Sequence, residues 1–199
     1  HAVLIIGGGL AGITAALSLA DQGFASFIVE KEEELGGNYR KLHYTLEGVD
    51  TRSHLAGLLD RVGKSPLIRV FTGAEIRKLE GFIGNYKTTV GTKAGEELFE
   101  HGVVIVATGA YELETDEYLC GASDRVVTQR ELEKLIAGKE AKALGAKSVV
   151  MIQCVGSRND ERPYCSRYCC SEAIKNALKL KEADPNREIT VIYRDIRTF

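Results

Sequence analysis

Two continuous apolar runs, each leading through a turn into an amphipathic stretch, predict an α/β protein with two doubly wound pieces. The first run, Ala2-Val3-Leu4-Ile5-Ile6, feeds a glycine-rich turn; the second, Ser148-Val149-Val150-Met151-Ile152-Gln153, feeds a loop holding four of the five cysteines. Short segments of alternating polarity lie between them. Together they predict a Rossmann-like dinucleotide-binding domain with a small β meander, followed by the opening βαβ of a second doubly wound domain.

The turn after the first strand reads Gly7-Gly8-Gly9-Leu10-Ala11-Gly12, so Gly7, Gly9 and Gly12 satisfy G-x-G-x-x-G. The first glycine permits the tight turn, the second lets backbone approach a pyrophosphate, and the third lets helix and sheet pack closely. Ile13, Ala16, Leu17 and Ala20 recur at helical spacing, predicting a helix over Leu10–Asp21 whose N-terminal amides face the phosphates. Gly23 closes it as a C-terminal cap. The next strand, Ala25–Val29, ends at Glu30, 18 residues beyond Gly12, where a carboxylate accepts hydrogen bonds from an adenosine ribose.

Glu30 does not separate NAD from FAD, since both carry that ribose. Two further features favour FAD. Gly36 and Gly37 follow the ribose acid closely, as in the second fingerprint of two-dinucleotide flavoproteins, where the chain passes near the flavin half. The strand Gly102–Val106 runs into Ala107-Thr108-Gly109, resembling the return strand of the same superfamily. A helix near Ser53–Val62 and strands near Ile68–Glu75, Arg77–Gly81, Tyr86–Thr92 and Glu96–Glu100 lie between, the strands forming the meander. Residues 1–115 are thus expected to form the N-terminal part of a Rossmann-like FAD-binding domain.

Residues 116–147 read as a linker with one short helix, begun by the capping-box sequence Thr128-Gln129-Arg130-Glu131 and ending near Leu135. Residues 148–199 read as the start of the second domain: strand 148–154, the cysteine loop, helix 171–182 and strand 188–193. In the loop ten residues separate Cys154 from Cys165, three separate Cys165 from Cys169, and Cys170 is adjacent. Three chemistries compete for these thiols. Structural zinc favours two C-x2–4-C arms, and this spacing offers no such pair of arms, only Cys165-x3-Cys169. A redox dithiol usually shows C-x-x-C. Four soft thiolates suit an iron–sulfur centre, and adjacent cysteines can reach different corners of a cubane. Arg158, Arg162 and Arg167 either offset the charge of such a centre or form a solvated basic loop. Cys120 stands apart as a small packing residue.

Twenty-six basic and 28 acidic residues leave a net charge of −2, which gives no reason to expect nucleic acid as a partner. No apolar run approaches a membrane span and nothing resembles a signal peptide. Clustered cysteines argue against a secreted disulfide framework and for a reduced, cytoplasmic setting. The chain opens without Met and is expected to be an excerpt of a longer protein, with His1 a tag remnant.

The runs Gln153–Arg158, Glu161–Cys170 and Ala173–Ala177, with the ending Tyr193-Arg194-Asp195-Ile196-Arg197-Thr198, resemble the A-type subunit of heterodisulfide reductase; so do Gly7–Gly12, Glu30–Lys31 and Leu35–Asn38. The resemblance implies a thioredoxin-reductase-like flavoprotein core. FAD would lie against Gly7, Gly9, Gly12, Glu30, Lys31, Gly37 and Gly109, and a [4Fe–4S] cluster would be held by Cys154, Cys165, Cys169 and Cys170. It implies an oxidoreductase acting on a sulfur group, with electron bifurcation at the flavin. Its partners would be B- and C-type subunits, ferredoxin, and a subunit of a hydrogenase or formate dehydrogenase, with homo-oligomerisation of the full-length protein. The chain departs from the family in lacking its ferredoxin-like cluster segments and the C-terminal segment that completes the FAD domain. The alternatives are a pyridine-nucleotide–disulfide oxidoreductase, which would need a glycine fingerprint at Gln153–Arg158, and a non-catalytic docking domain with a structural metal.

Overall fold

The computed structural model describes residues 2–198, so the suggestion about His1 lies outside the described residues. The chain divides into two compact units, one of His1–Lys41 with Thr51–Ala110, the other of Leu42–Asp50 with Tyr111–Phe199. No helix among the described residues is long and apolar enough to cross a membrane.

In the first unit β1 (Val3–Ile6), α1 (Leu10–Asp21) and β2 (Ser26–Val29) are followed by a 3-10 turn over Gly37–Lys41, α2 (Thr51–Lys64) and β3 (Ile68–Phe71). Then come β4 (Glu75–Phe82), β5 (Asn85–Thr92), β6 (Gly95–His101) and β7 (Val103–Val106). The parallel sheet has the order β3-β2-β1-β7, with Val3 level with Ser26 on one side and Val103 on the other. Being central, β1 is apolar on both faces, as a parallel strand must be. Val3 and Ile5 pack with Ile13, Ala16, Leu17, Leu55 and Val62 of the helices. Leu4 faces the other way, packing with Val29, Phe71, Val90 and Phe99 beneath the antiparallel β4-β5-β6 meander. Each Val, Leu, Ile or Phe among them, fully buried, contributes about 1.5–3 kcal/mol. α1 stops where expected: Gly23 takes φ +85 and its amide donates to Ala20 O at 2.9 Å.

The stretch Ile68–Glu75, expected as one meander strand, is two pieces. Ile68–Phe71 joins β2 as the edge of the parallel sheet, and the meander starts afresh at Glu75. The break lies at Gly73, whose φ of +54 turns the chain while its amide donates to Glu32 O and the Ala74 amide to Glu30 O. Burial of Ile68 and Phe71 drives that choice.

The second unit contains α3 (Gln129–Ala137), α4 (Ala141–Leu144), β8 (Ser148–Ile152), α5 (Cys169–Ala183) and β9 (Glu188–Ile192), with β8 and β9 parallel. The capping box forms: Thr128 Oγ1 accepts the Glu131 amide at 3.2 Å and Glu131 Oε2 accepts the Thr128 amide at 2.7 Å. Leu132, Ile136, Ala143, Met151, Ala173 and Leu180 form the core, so α3 and α4 pack with β8 and α5. α5 begins two residues earlier than its periodicity predicts, which puts Cys169 and Cys170 in its first turn.

The segment Leu42–Asp50, between the 3-10 turn and α2 in sequence, belongs to this second unit. Glu133 of α3, wholly buried, accepts the amides of His43 and Tyr44 through Oε1. Its other oxygen meets Lys175 Nζ at 2.9 Å, and the same ammonium reaches Glu172 Oε2 at 2.9 Å and Tyr44 O at 3.2 Å. Tyr44 Oη donates to Asn176 Oδ1 at 3.0 Å. Burial, then the shared contact with Glu133, pushes the Glu172 carboxyl up to about 7. Burial works to raise Glu133 as well, but its hydrogen bonds with Glu172, the His43 amide and Lys175 prevail and hold it below the usual range.

Candidate functional site

The glycine turn after β1 is shaped from inside the fold. A Cβ on Gly7 would overlap the Ala107 carbonyl, and one on Gly12 would overlap the Gly7 carbonyl. A Cβ on Gly9 would meet nothing within 4 Å. Gly7 and Gly12 therefore serve packing, while Gly9 keeps open space at the start of α1. Gly9 is the N-cap of that helix, with no side-chain cap and no acidic residue in the first turn. The free amides and the positive end of the helix suit an anionic group.

Glu30 lies at the end of β2, only 7% exposed. Its Oε2 accepts the Gly8 amide at 2.7 Å and its Oε1 accepts the Glu32 amide at 2.9 Å. Each carboxylate oxygen has a second lone-pair site, so the group is held in place with acceptor capacity left over. The Gly36-Gly37 stretch packs on the same turn: the Gly36 amide donates to Gly8 O at 2.7 Å, and Gly9 and Gly36 form a parallel bridge. Asn38 Nδ2 donates to Ala110 O at 2.6 Å, tying this loop to the segment after β7, where Gly109 takes φ +68 with open space at its Cβ position. Lys31 is half exposed, 3.9 Å from Glu32 Oε1. The sequence-selected residues Gly7, Gly9, Gly12, Glu30, Gly37 and Gly109 thus flank one turn or the loops hydrogen-bonded to it. The parts played by Gly8, whose amide holds the Glu30 carboxylate, and by Asn38 were not read from the sequence. Both act through backbone partners that leave no mark on composition. The open Gly9, the uncapped helix and the fixed carboxylate fit a dinucleotide.

In the second unit Cys154, Cys165, Cys169 and Cys170 are all free thiols. Burial first, then the nearby Cys170, Cys165 and Cys154, raise the Cys169 thiol, so all four belong to one neighbourhood. Among the described residues no group of three or more His, Cys, Asp or Glu side chains is arranged to hold a metal ion. The four thiols share one loop but are not set around one point. Cys154 and Arg158 take φ +62 and +57, left-handed conformations that cost a non-glycine residue about 1–3 kcal/mol each. Only one glycine, Gly156, lies between them, and its amide donates to Glu117 Oε1 at 3.1 Å. The turn after β8 is therefore no glycine fingerprint.

Known proteins agree with this geometry. The family model of the FAD binding domain matches residues 2–51. L-proline dehydrogenase from P. horikoshii shares the fold at a TM-score of 0.53 and 16% identity, covering 96% of this chain and 35% of its own. Bacillithiol disulfide reductase from Bacillus cereus does so at 0.52 and 19%, covering 100% and 60%. The fold is that of a Rossmann-like FAD-binding α/β protein.

The sequence relatives are narrower. The iron-sulfur A-type subunit of CoB–CoM heterodisulfide reductase from Methanocaldococcus jannaschii is 31% identical, over 98% of this chain and 44% of the relative. The A-type subunit of H2:CoB–CoM heterodisulfide,ferredoxin reductase from Methanothermobacter marburgensis matches at 31% with the same coverage. Over nearly its whole length the chain is a homologue of the heterodisulfide reductase A-type subunit, and it spans somewhat under half the length of those relatives.

Proposed function

We propose that this chain is an electron-transfer flavoprotein module of the kind found in the A-type subunit of heterodisulfide reductase, within an FAD-dependent oxidoreductase acting on a sulfur group. The observation that carries this reading is the Glu30 carboxylate, fixed by the Gly8 and Glu32 amides beside the open Gly9 and the uncapped α1. Glu30 accepts the adenosine ribose hydroxyls, and the α1 amides face the pyrophosphate at Gly9. Gly7 and Gly12 keep that turn tight; Lys31, Gly37 and Gly109 border the rest of the cofactor. FAD, when bound, supplies exchange of electrons singly or in pairs. Cys154, Cys165, Cys169 and Cys170 are the ligands of a [4Fe–4S] cluster, for which thiolates are suited donors. Names of relatives mention ferredoxin and F420H2, and others mention H2 or formate. Accordingly we assign as partners the B- and C-type reductase subunits, ferredoxin, and a subunit of a hydrogenase or formate dehydrogenase, in the cytoplasm.

The test is anaerobic reconstitution of the chain with iron, sulfide and FAD, all three quantified together, on the wild type and five single Cys→Ala variants. FAD and a four-iron centre are expected in the wild type and in Cys120→Ala. Cys154→Ala, Cys165→Ala, Cys169→Ala and Cys170→Ala should keep FAD and lose the centre. A full centre in Cys169→Ala or Cys170→Ala refutes the ligand set, and tight NADH binding without FAD binding refutes the flavin assignment.

A further inference from the structure

The turn after β8 carries a run of backbone donors. Cys154, Gly156 and Arg158 take φ of +62, +67 and +57, while Val155 and Ser157 between them stay out of the left-handed region. Backbone that alternates in this way turns successive amides towards one concavity, a nest suited to an anion. The place is also the carboxyl end of a parallel strand, where ligands of open α/β sheets bind. Gln153, 8% exposed, continues the ladder by donating its amide to Ile192 O at 2.9 Å, so alternation puts its side chain on the Met151 face, towards α5. Its Nε2 is buried without a hydrogen-bond partner. The start of α5, which has no side-chain cap, shares this neighbourhood, since Cys154 is among the groups that raise the Cys169 thiol.

The anion found on this turn is the chain's own. Glu117 Oε1 accepts the Gly156 amide at 3.1 Å. Leu113 lies over the same glycine, where an added Cβ would overlap its Cδ2. The segment that carries both is fastened at each end. Glu112 Oε2 meets Arg130 Nε at 3.3 Å, the Glu117 amide donates to Thr115 Oγ1 at 3.1 Å, and the Glu117 carbonyl accepts the Cys120 amide at 3.1 Å. All these residues belong to the second unit.

We propose that Leu113–Glu117 is an autoinhibitory strap, which seats its own carboxylate and a leucine on an anion-binding turn and so closes the second unit to a pyrophosphate-bearing ligand. The inference goes beyond the reading above and uses neither the flavin nor the cysteine ligand set. The carboxylate stands where a phosphate oxygen would accept the Gly156 amide, and its charge repels a second anion. Gly156 is the one glycine of this turn, so backbone can be approached closely there alone, and Leu113 covers it. A glutamate present only to satisfy one amide accounts neither for the alternating backbone nor for the unpaired Gln153 donor. With the strap released, the Gly156 amide and Gln153 Nε2 are both open to a ligand oxygen.

The experiment follows the Gly156 amide in proton–nitrogen correlation spectra of the full chain, kept reduced and free of iron, during titration with inorganic pyrophosphate. Reading that one amide separates this turn from the glycine turn after β1. Wild type, Glu117→Gln, the double variant Leu113→Ala with Glu117→Gln, and Glu114→Gln are compared. The double variant should bind pyrophosphate about tenfold to a hundredfold more tightly than the wild type, the range expected when a charge-assisted hydrogen bond no longer competes. Glu117→Gln alone should fall between, because its carboxamide oxygen still accepts the amide. Glu114→Gln removes the same charge from an exposed position of the strap and should match the wild type. A Gly156 resonance that pyrophosphate leaves unmoved in the folded double variant overturns the proposal, because the turn is then no anion site. Equal responses in wild type and double variant overturn it too, as does an equal gain in Glu114→Gln, which would make net charge the cause. Should the double variant fail to fold by circular dichroism, Glu117→Gln against the wild type decides by the same criteria. Neither FAD nor iron takes part, so failure here leaves the flavoprotein reading as it stands.

Discussion

Glu30 and Gly8 are joined by a hydrogen bond of 2.7 Å from the Gly8 amide to Glu30 Oε2, which ties the end of β2 to the turn after β1. The second oxygen is held by the Glu32 amide. The carboxylate is therefore oriented by the protein's own backbone, and its rotamer entropy is lost during folding rather than on binding.

Glu30→Gln tests that preorganisation. The amide keeps one acceptor oxygen, but the charge is gone and an NH2 group faces a backbone donor. A hydrogen bond to a charged group is worth about 1.5–3 kcal/mol, so FAD affinity should fall about tenfold to a hundredfold. Calorimetric titration with FAD measures this, and an unchanged dissociation constant would contradict the role given to Glu30.

Gly9 and Gly12 belong to one motif but should fail differently. An alanine methyl at Gly12 has the Gly7 carbonyl in its place, a backbone atom that cannot swing aside. Gly12→Ala should therefore destabilise the first unit by about 1–3 kcal/mol, seen in urea unfolding. At Gly9 the backbone φ is −72 and nothing lies within 4 Å, so Gly9→Ala should fold normally and lose FAD binding. The reverse pattern would show that Gly9 is the packing glycine.

The contrast shows what the chain displays in advance. The motif, the α1 range and the Glu30 position are local patterns of residue type, and the structure has all three. The split of Ile68–Glu75 between two sheets was hidden because β propensity does not say which sheet a strand joins. The role of Leu42–Asp50 in the second unit was hidden too, since Glu133 and Lys175 lie about 90 and 130 residues away in sequence. In the cysteine loop the residue types were plain, yet Arg158 finds its ion-pair partner in Asp195, 37 positions distant.

His101 gives the first unit a pH-dependent stability. Its ring is buried, Nε2 lying 2.7 Å from Thr88 Oγ1 and Nδ1 3.1 Å from Val103 O. With Nδ1 protonated the ring donates to Val103 and accepts from Thr88, and a second proton on Nε2 would require the Thr88 hydroxyl to turn and accept instead. Burial lowers its pKa, outweighing the bond to Val103. The folded state thus binds the proton less readily than the unfolded chain, whose imidazole titrates near ~6.5. The stabilisation is complete above that value and is lost as pH falls through it towards the folded pKa. Urea midpoints taken between about pH 7.5 and 5 should decline more steeply in the wild type than in His101→Gln. Parallel slopes would exclude His101 as the source.

Lys175 and Glu133 are 6% and 0% exposed in their side chains, and their 2.9 Å contact is central to the packing of Leu42–Asp50 on α3 and α5. A buried pair is costly to desolvate, but removing one member leaves an uncompensated charge, at about 3–5 kcal/mol. Lys175→Met should therefore be strongly destabilising, because Glu133 would lose the cation it pairs with and keep just the His43 and Tyr44 amides and its bond with Glu172 against its burial. Glu133→Gln should cost less: the carboxamide oxygen still accepts those amides, and Glu172 remains beside Lys175. With both changes together, no charge at this pair is left unmatched and Glu172, already raised to about 7, can take its proton. The double variant should then be more stable than Lys175→Met alone, a coupling measurable in a urea double-mutant cycle. Strict additivity of the two single losses would mean that the pair is solvated in solution and does not hold the segment.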